Sequence, residues 1–369
     1  FKDRALYIDF EDERLGDFKQ DDFQILQDAF WDLHPELTKK EAIYLLDEVQ
    51  NVKGWEKFAR RVAEKEKSKV FVSGSSSKIM PQQLHTALRG RSWSVAIFPF
   101  SFIEFLKTKE FNLEKLAFRR KDQSKILFFL KDYLLWGGFP ETCFISQKLE
   151  KQKVISEYLD AIFFKDLVER YQITNIPLLE ALRNKLFCSF AQKLSLTAIY
   201  KQLKDKLPFS KDSLFAYFKY FLESMVVFEV KKFSESLYQR LRNPAKIYLV
   251  DTGLARKTTS DDLGRRLENL VFLQLQRSGL TSYYYEGKNE CDFIVKTSGG
   301  KFSAMQVTWD LTPENEKREL DGLVEAAQHL NAKTGTLITF DQEDCFSRKG
   351  VKIAVVPAWK WLLEKNQQK

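Results

Sequence analysis

Residues 42–58 read AIYLLDEVQNVKGWEKF. The first five are mostly apolar and run straight into Asp47 and Glu48. A continuous apolar run of this length suits a strand buried on both faces of a parallel sheet. Open α/β sheets bind ligands beyond the C-terminal ends of their strands, and that is where the two carboxylates stand. One acid there can hold a divalent cation while the next polarises a water molecule. A core strand ending in a solvated acidic turn would leave the same pattern. Downstream, Trp55, Phe58, Ala59 and Val62 follow at i, i+3, i+4 and i+7, the spacing of a helix with one apolar face.

Working outward, residues 69–73 form a second β-rich apolar run that ends in Ser73-Gly74-Ser75-Ser76-Ser77. Hydroxyl groups at the tip of a neighbouring strand, here Ser75 and Ser76, can hydrogen-bond a terminal phosphate or its water. Serine-rich turns also occur as plain loops. Residues 5–10 (ALYIDF) add a further strand and residues 23–30 a helix. The first hundred residues therefore read as β-α-β-α-β, a parallel sheet with covering helices.

Asp47-Glu48 after an apolar strand is the Walker B pattern of P-loop ATPases. LLDEVQNVKGWEKF, VFVSGSSSKIM, LRGRS and FPFSFIEFL together resemble, in order and spacing, the prokaryotic AAA-like P-loop ATPases fused to a C-terminal domain related to PD-(D/E)XK nucleases. The resemblance covers nearly the whole chain. It implies an α/β multi-domain protein: an AAA-like parallel-sheet core over residues 1–107, a helical lid and linker over 108–182, a winged helix over 183–256 and a nuclease-like α/β domain over 257–369. It further implies ATP and Mg²⁺ as cofactors, with Asp47 on the metal, Glu48 polarising the attacking water, and Ser75 and Ser76 as sensors. Arg91 would lie near the nucleotide and act in cis or from a neighbouring subunit of a homo-oligomer. One part is missing. A P-loop needs G-x-x-x-x-G-K-[ST], and the only Gly-Lys pairs, Gly287-Lys288 and Gly300-Lys301, have Ser282 and Val295 at the first position. The chain starts at Phe1, and residues 5–10 match the family's second strand. The expectation is that the first strand, the P-loop and its helix precede it.

Residues 194–206 read as one helix, and Ser210 is a good N-cap for a second over 211–225. Residues 226–233 and 246–251 then read as a hairpin around a loop holding Tyr238, Arg240, Arg242 and Lys246. This is the pattern of a winged helix. Lys211, Lys219, Arg240, Arg242 and Lys246 are the candidates for contacting double-stranded DNA phosphates. A rigid connector would show the same pattern.

Residues 264–277 form an amphipathic helix holding Glu268, and strands follow with Asp292 and with Gln306 and Thr308. Set against the PD-(D/E)XK arrangement, Glu268 and Asp292 match the metal-binding acids, Gln306 stands for the third ligand, and Thr308 replaces the lysine. The expectation is a nuclease-like remnant without cleavage activity, unless Lys317 or Arg318 supplies the cation.

At 369 residues the chain holds two or three domains. A composition of 44% hydrophobic and 30% charged residues is that of an ordinary globular protein. The net charge of +8 leans toward a polyanionic partner. Cys143, Cys188, Cys291 and Cys345 form no C-x-x-C pair, and with three histidines there is no zinc spacing. Reduced thiols and a cytoplasmic location are expected. No apolar run approaches the ~18 residues of a membrane span. Three functions remain, in this order: an ATP-driven machine in nucleic-acid transactions, a metal-dependent DNA nuclease with an ATPase regulator, and a non-catalytic DNA or protein interaction module.

Overall fold

The computed structural model describes residues 4–39, 41–74, 88, 90, 92–111, 113, 120–257, 262–297 and 299–365. The chain divides into two compact units, Phe1–Ala96 and Ile97–Lys369.

In the first unit β1 (Ala5–Asp9), β2 (Ile43–Asp47) and β3 (Lys69–Val72) form a parallel sheet in the order β1-β2-β3. Helices α1 (Asp22–Leu33) and α2 (Trp55–Arg61) lie in the crossovers, and α2 runs on as a wider π turn, Val62–Glu66. The predicted apolar face is buried: Trp55, Phe58, Ala59 and Val62 are all at most 6% exposed. Phe58 stacks on Phe23 of α1 with ring centroids 4.3 Å apart, and Tyr44 of β2 lies beneath them. A polar network threads this core. Gln27 donates to the Tyr44 hydroxyl and to Glu66, and Arg61 returns a bond to each of Gln27 and Glu66. Every buried polar atom named there has a partner, which is what makes its burial tolerable.

The second unit begins with α3 (Phe102–Thr108), entered through a capping box in which Ser101 and Glu104 satisfy each other's backbone N–H groups. Helices α4 (Arg120–Trp136), α5 (Pro140–Phe144), α6 (Lys148–Ala161, continuing as a π turn to Glu169) and α7 (Ile176–Cys188) follow. Next come β4 (Gln192–Leu194), α8 (Leu196–Leu203), α9 (Lys211–Glu223), β5 (Val227–Val230), α10 (Leu237–Arg242) and β6 (Ala245–Leu249). Strands β4, β6 and β5 make an antiparallel sheet in that order. Ser210 caps α9 as expected, accepting from the Ser213 N–H.

The chain then enters α11 (Leu263–Arg277), the antiparallel strands β7 (Thr281–Glu286), β8 (Glu290–Lys296) and β9 (Phe302–Val307), helix α12 (Glu316–His329) and β10 (Thr334–Thr339), which pairs parallel to β9. Strands β11 (Asp344–Arg348) and β12 (Val351–Pro357) complete a six-stranded sheet in the order β11-β12-β10-β9-β8-β7, and α13 (Ala358–Lys365) closes the chain. One continuous apolar core runs from Phe102 through Leu186 and Leu214 to Leu362. The segments expected as lid, winged helix and C-terminal domain share it.

Two glycine turns bind this unit together. Gly138 lies so close to Phe100 that a Cβ would run into the Phe100 carbonyl, and Phe100 N–H in turn donates to Gly138 O at 2.7 Å. Gly137, at φ +77°, faces the Asp251 carboxylate, which accepts from the N–H groups of Gly138 and Gly253, each at 2.7 Å. Burial pushes the Asp251 carboxyl up to about 6, against the pull of those two N–H groups and of Arg277 and Arg266. A carboxyl raised above its unfolded value favours the fold fully only below that unfolded value. The stability it confers is lost as pH rises from about 4 through about 6. The difference in unfolding free energy between the parent and Asp251→Asn should shift against the parent across that window, as urea titrations at several pH values would show. A flat difference would mean that Asp251 titrates alike in the folded and unfolded chain.

Candidate functional site

The C-terminal ends of β1, β2 and β3 bring Asp9, Asp47 and Ser73 together. Asp9 and Asp47 are direct register partners, and Ser73 N–H donates to Leu46 O one residue before Asp47. One Asp47 oxygen accepts from the Tyr7 hydroxyl at 2.9 Å and the other from the Ser73 hydroxyl. Chiefly through the Ser73 hydrogen bond, the Asp47 carboxyl is held below its ordinary value despite partial burial. An ionised carboxylate whose oxygens are oriented by hydroxyls suits a magnesium-bound water. Glu48 follows in the left-handed region, φ 47° and ψ 38°, a conformation that side-chain-bearing residues adopt at a cost of order 1 kcal/mol or more. Its carboxylate accepts from Gln50 Nε2. Such strain at the end of a sheet strand is typical of functional turns. Ser75, Ser76 and Arg91 lie outside the described residues. Sequence reasoning missed Tyr7 and did not single out the Ser73 hydroxyl. The signal for Tyr7 was its place two residues before the end of the first strand.

The second cluster is built by β6, α11, β8 and β9. Glu268 projects from α11, and Glu290 and Asp292 from β8. Into their midst comes Lys246 of β6, 3% exposed, with Nζ 3.2 Å from Glu268 Oε1, 2.8 Å from Glu290 Oε1 and 2.8 Å from Asp292 Oδ1. Tyr248, two residues on and on the same face of β6, donates to Glu268 Oε1 at 2.7 Å. The remaining Asp292 oxygen accepts from Val307 N–H. Burial would lower the Lys246 pKa, but the Asp292 and Glu268 carboxylates outweigh it and raise the value. Burial and the Asp292 carboxylate push Glu268 upward, opposed by Lys246.

This geometry corrects three expectations. Lys246 is not a wing residue available to a phosphate: the loop ahead of it contains α10, and Lys246 itself is a strand residue turned into the protein. Gln306 is not free to be a metal ligand, because its Oε1 accepts from Asp292 N–H and its Nε2 donates to Glu319. The cation beside Asp292 comes from neither Lys317 nor Arg318. Arg318 pairs with Glu319, and Lys246, distant in sequence, fills the role. Thr308 donates to Asp310 O in the turn after β9. Of the other basic candidates, Lys211, Lys219 and Arg242 are exposed and Arg240 is half-buried. Lys211 lies over the Phe215 ring at 5.6 Å, and Lys219 pairs with Glu223 along α9.

The parallel sheet with its acid-tipped central strand is that of an AAA-type ATPase domain. A family model described as an AAA domain matches residues 1–106, and one described as a domain of unknown function (DUF8612) matches residues 128–263. The chain belongs to the family of the uncharacterized protein MJ1544 of Methanocaldococcus jannaschii, with which it shares 34% identity over 98% of this chain and 83% of that protein. An uncharacterized protein of Haemophilus influenzae is 26% identical over 97% of this chain and 86% of its own length. Among solved structures, the Walker-type ATPase PABY2304 of Pyrococcus abyssi is 15% identical at a TM-score of 0.39, over 68% of this chain and 83% of that one. Among the described residues no helix is long and apolar enough to cross a membrane.

Removing one partner from a buried ion-pair cluster leaves uncompensated charge and costs about 3–5 kcal/mol, whereas exposed lysines and arginines carry little. Lys246→Ala should therefore lose stability on that scale in chemical denaturation, while Lys211→Ala and Arg242→Ala stay within about 0.5 kcal/mol of the parent.

Proposed function

We propose that this protein is an ATP-hydrolysing machine in which the first unit binds MgATP at the ends of β1–β3 and drives the second unit in a nucleic-acid transaction. The observation that carries the reading is the Asp47 carboxylate at the tip of the central parallel strand, oriented by the Tyr7 and Ser73 hydroxyls. Asp47 would hold the magnesium through water, and Glu48 in its strained turn would take up a proton from the attacking water. MgATP supplies the phosphoanhydride whose cleavage yields the driving energy. A homo-oligomer, with an arginine such as Arg91 reaching a neighbouring nucleotide, fits the same reading.

The order α7-β4-α8-α9-β5-α10-β6, with an antiparallel β4-β6-β5 sheet and a helical turn in the wing connection, supports taking this part as a winged helix. Exposed Lys211 and Lys219 on α9, with exposed Arg242 on α10, are the basic residues that would meet the phosphates of a DNA duplex. The order α11-β7-β8-β9-α12-β10, with β10 parallel to β9, supports a PD-(D/E)XK-like origin for the C-terminal part. The Lys246 ammonium among its acids argues against a working nuclease.

Single-turnover hydrolysis by the protein tests the nucleotide role. Glu48→Gln should keep MgATP binding and slow hydrolysis by about a hundredfold or more; hydrolysis at the parental rate would remove Glu48 from this role. For the DNA face, replacing Lys211, Lys219 and Arg242 together by Ala should lower the slope of log affinity against log salt by up to ~3 counterions. An unchanged slope would leave the module as a connector.

A further inference from the structure

A nuclease-type centre implies a divalent cation held by its acids, and the residues present do not fit one. Gln306 has both ends of its amide engaged, and Thr308 is turned to Asp310. Asp292 has one oxygen on the Val307 N–H and the other on Lys246. The space between Glu268, Glu290 and Asp292 holds the Lys246 ammonium, whose three contacts of 2.8–3.2 Å match its three N–H donors. We propose that Lys246 is a tethered cation that fills this seat permanently, so that the cluster excludes divalent metal and serves as the joint between β6 and the C-terminal sheet.

The surroundings of Lys246 hold it in place. Tyr248 bonds Glu268, and Asn269 of α11 makes a two-way amide bond with the backbone of Leu249, so three positions of β6 are fixed to one helix. Beyond β5 the chain continues into the C-terminal sheet: Tyr284 N–H donates to Lys231 O and Phe233 N–H to Tyr284 O. The near-cationic side of the cluster is reinforced by Lys193, 3.0 Å from Glu290 Oε2 and 2.6 Å from Glu286. Withdrawing Lys246 would break a strand bonded on both sides. A substrate phosphate would also find the ammonium already fully engaged with carboxylates.

The test counts Mn²⁺ sites by electron paramagnetic resonance, in chains that all carry Asp47→Asn so that the nucleotide-side acid does not contribute. Adding Asp292→Asn should leave the number of sites unchanged. Adding Lys246→Met should create one site, which is lost again when Asp292→Asn is combined with it. One site fewer in Asp292→Asn than in its parent overturns the proposal, as does a folded Lys246→Met protein that gains none. Metal-dependent plasmid nicking that disappears with Asp292→Asn also overturns it. If Lys246→Met does not fold, a chain with Glu268→Gln and Asp292→Asn added removes charge from both sides of the pair. Recovery of the fold then supports the tethered cation, and continued failure overturns it. None of these outcomes bears on the nucleotide reading, which stands or falls with ATP hydrolysis by Glu48→Gln.

Discussion

A single buried ammonium, that of Lys246, meets three carboxylates from two other elements, and the arrangement of the second unit follows from it. A lone charge cannot be taken out of water without partners. Once β6 carries Lys246 inward, α11 and β8 must therefore present their acids at that point. The alternation of a strand places Tyr248 on the same face, where it supplies a further bond to Glu268. Removing any partner strands the rest. Exchange of a whole cluster for apolar residues is often neutral elsewhere, so such a cluster specifies how elements dock more than it adds net stability.

The same strand ends at a second constraint. Asp251 is buried, and its two oxygens take the N–H groups of Gly138 and Gly253. The glycines leave room for the carboxylate and for the Phe100 and Trp136 carbonyls, which side chains at those positions would meet head-on. Arg266 continues the arrangement by donating to the carbonyls of Leu134 and Thr252. The helical segment that ends at Trp136 is thus tied to the strand that ends at Leu249 by these polar groups, within an apolar core that the two elements share.

In the first unit the constraint is topological. Three parallel strands end on one side, so groups far apart in sequence (Tyr7, Asp47, Ser73) meet there. The hydroxyls on either flank keep the Asp47 carboxyl ionised. Glu48 is set off from the strand by a backbone turn of opposite hand. Charge and strain are concentrated at the strand tips, where an α/β sheet offers its binding surface.

Much of this was legible in the sequence, because local patterns carry their own physics. The apolar run before Asp47-Glu48 had to be a buried strand, the i, i+3, i+4, i+7 residues after Trp55 had to face it, and Ser210 had to cap a helix. The helix holding Glu268 and the strand holding Asp292 were equally readable from periodicity. Strand β10, central to its sheet, gave too short and mixed a signal (TGTLIT) to stand out. What the sequence could not reveal was which groups share a place. Lys246 stands in a run of basic residues and reads as a surface charge. It became a core residue because its strand pairs with β4 and β5 in a way that turns it toward Glu268 and Asp292, residues 22 and 46 positions away. Gln306 looked like a metal ligand until the pairing of β8 with β9 set its amide against the Asp292 N–H. Both are decided by strand register, which depends on long-range packing, because a shift of one residue would turn each side chain to the opposite face.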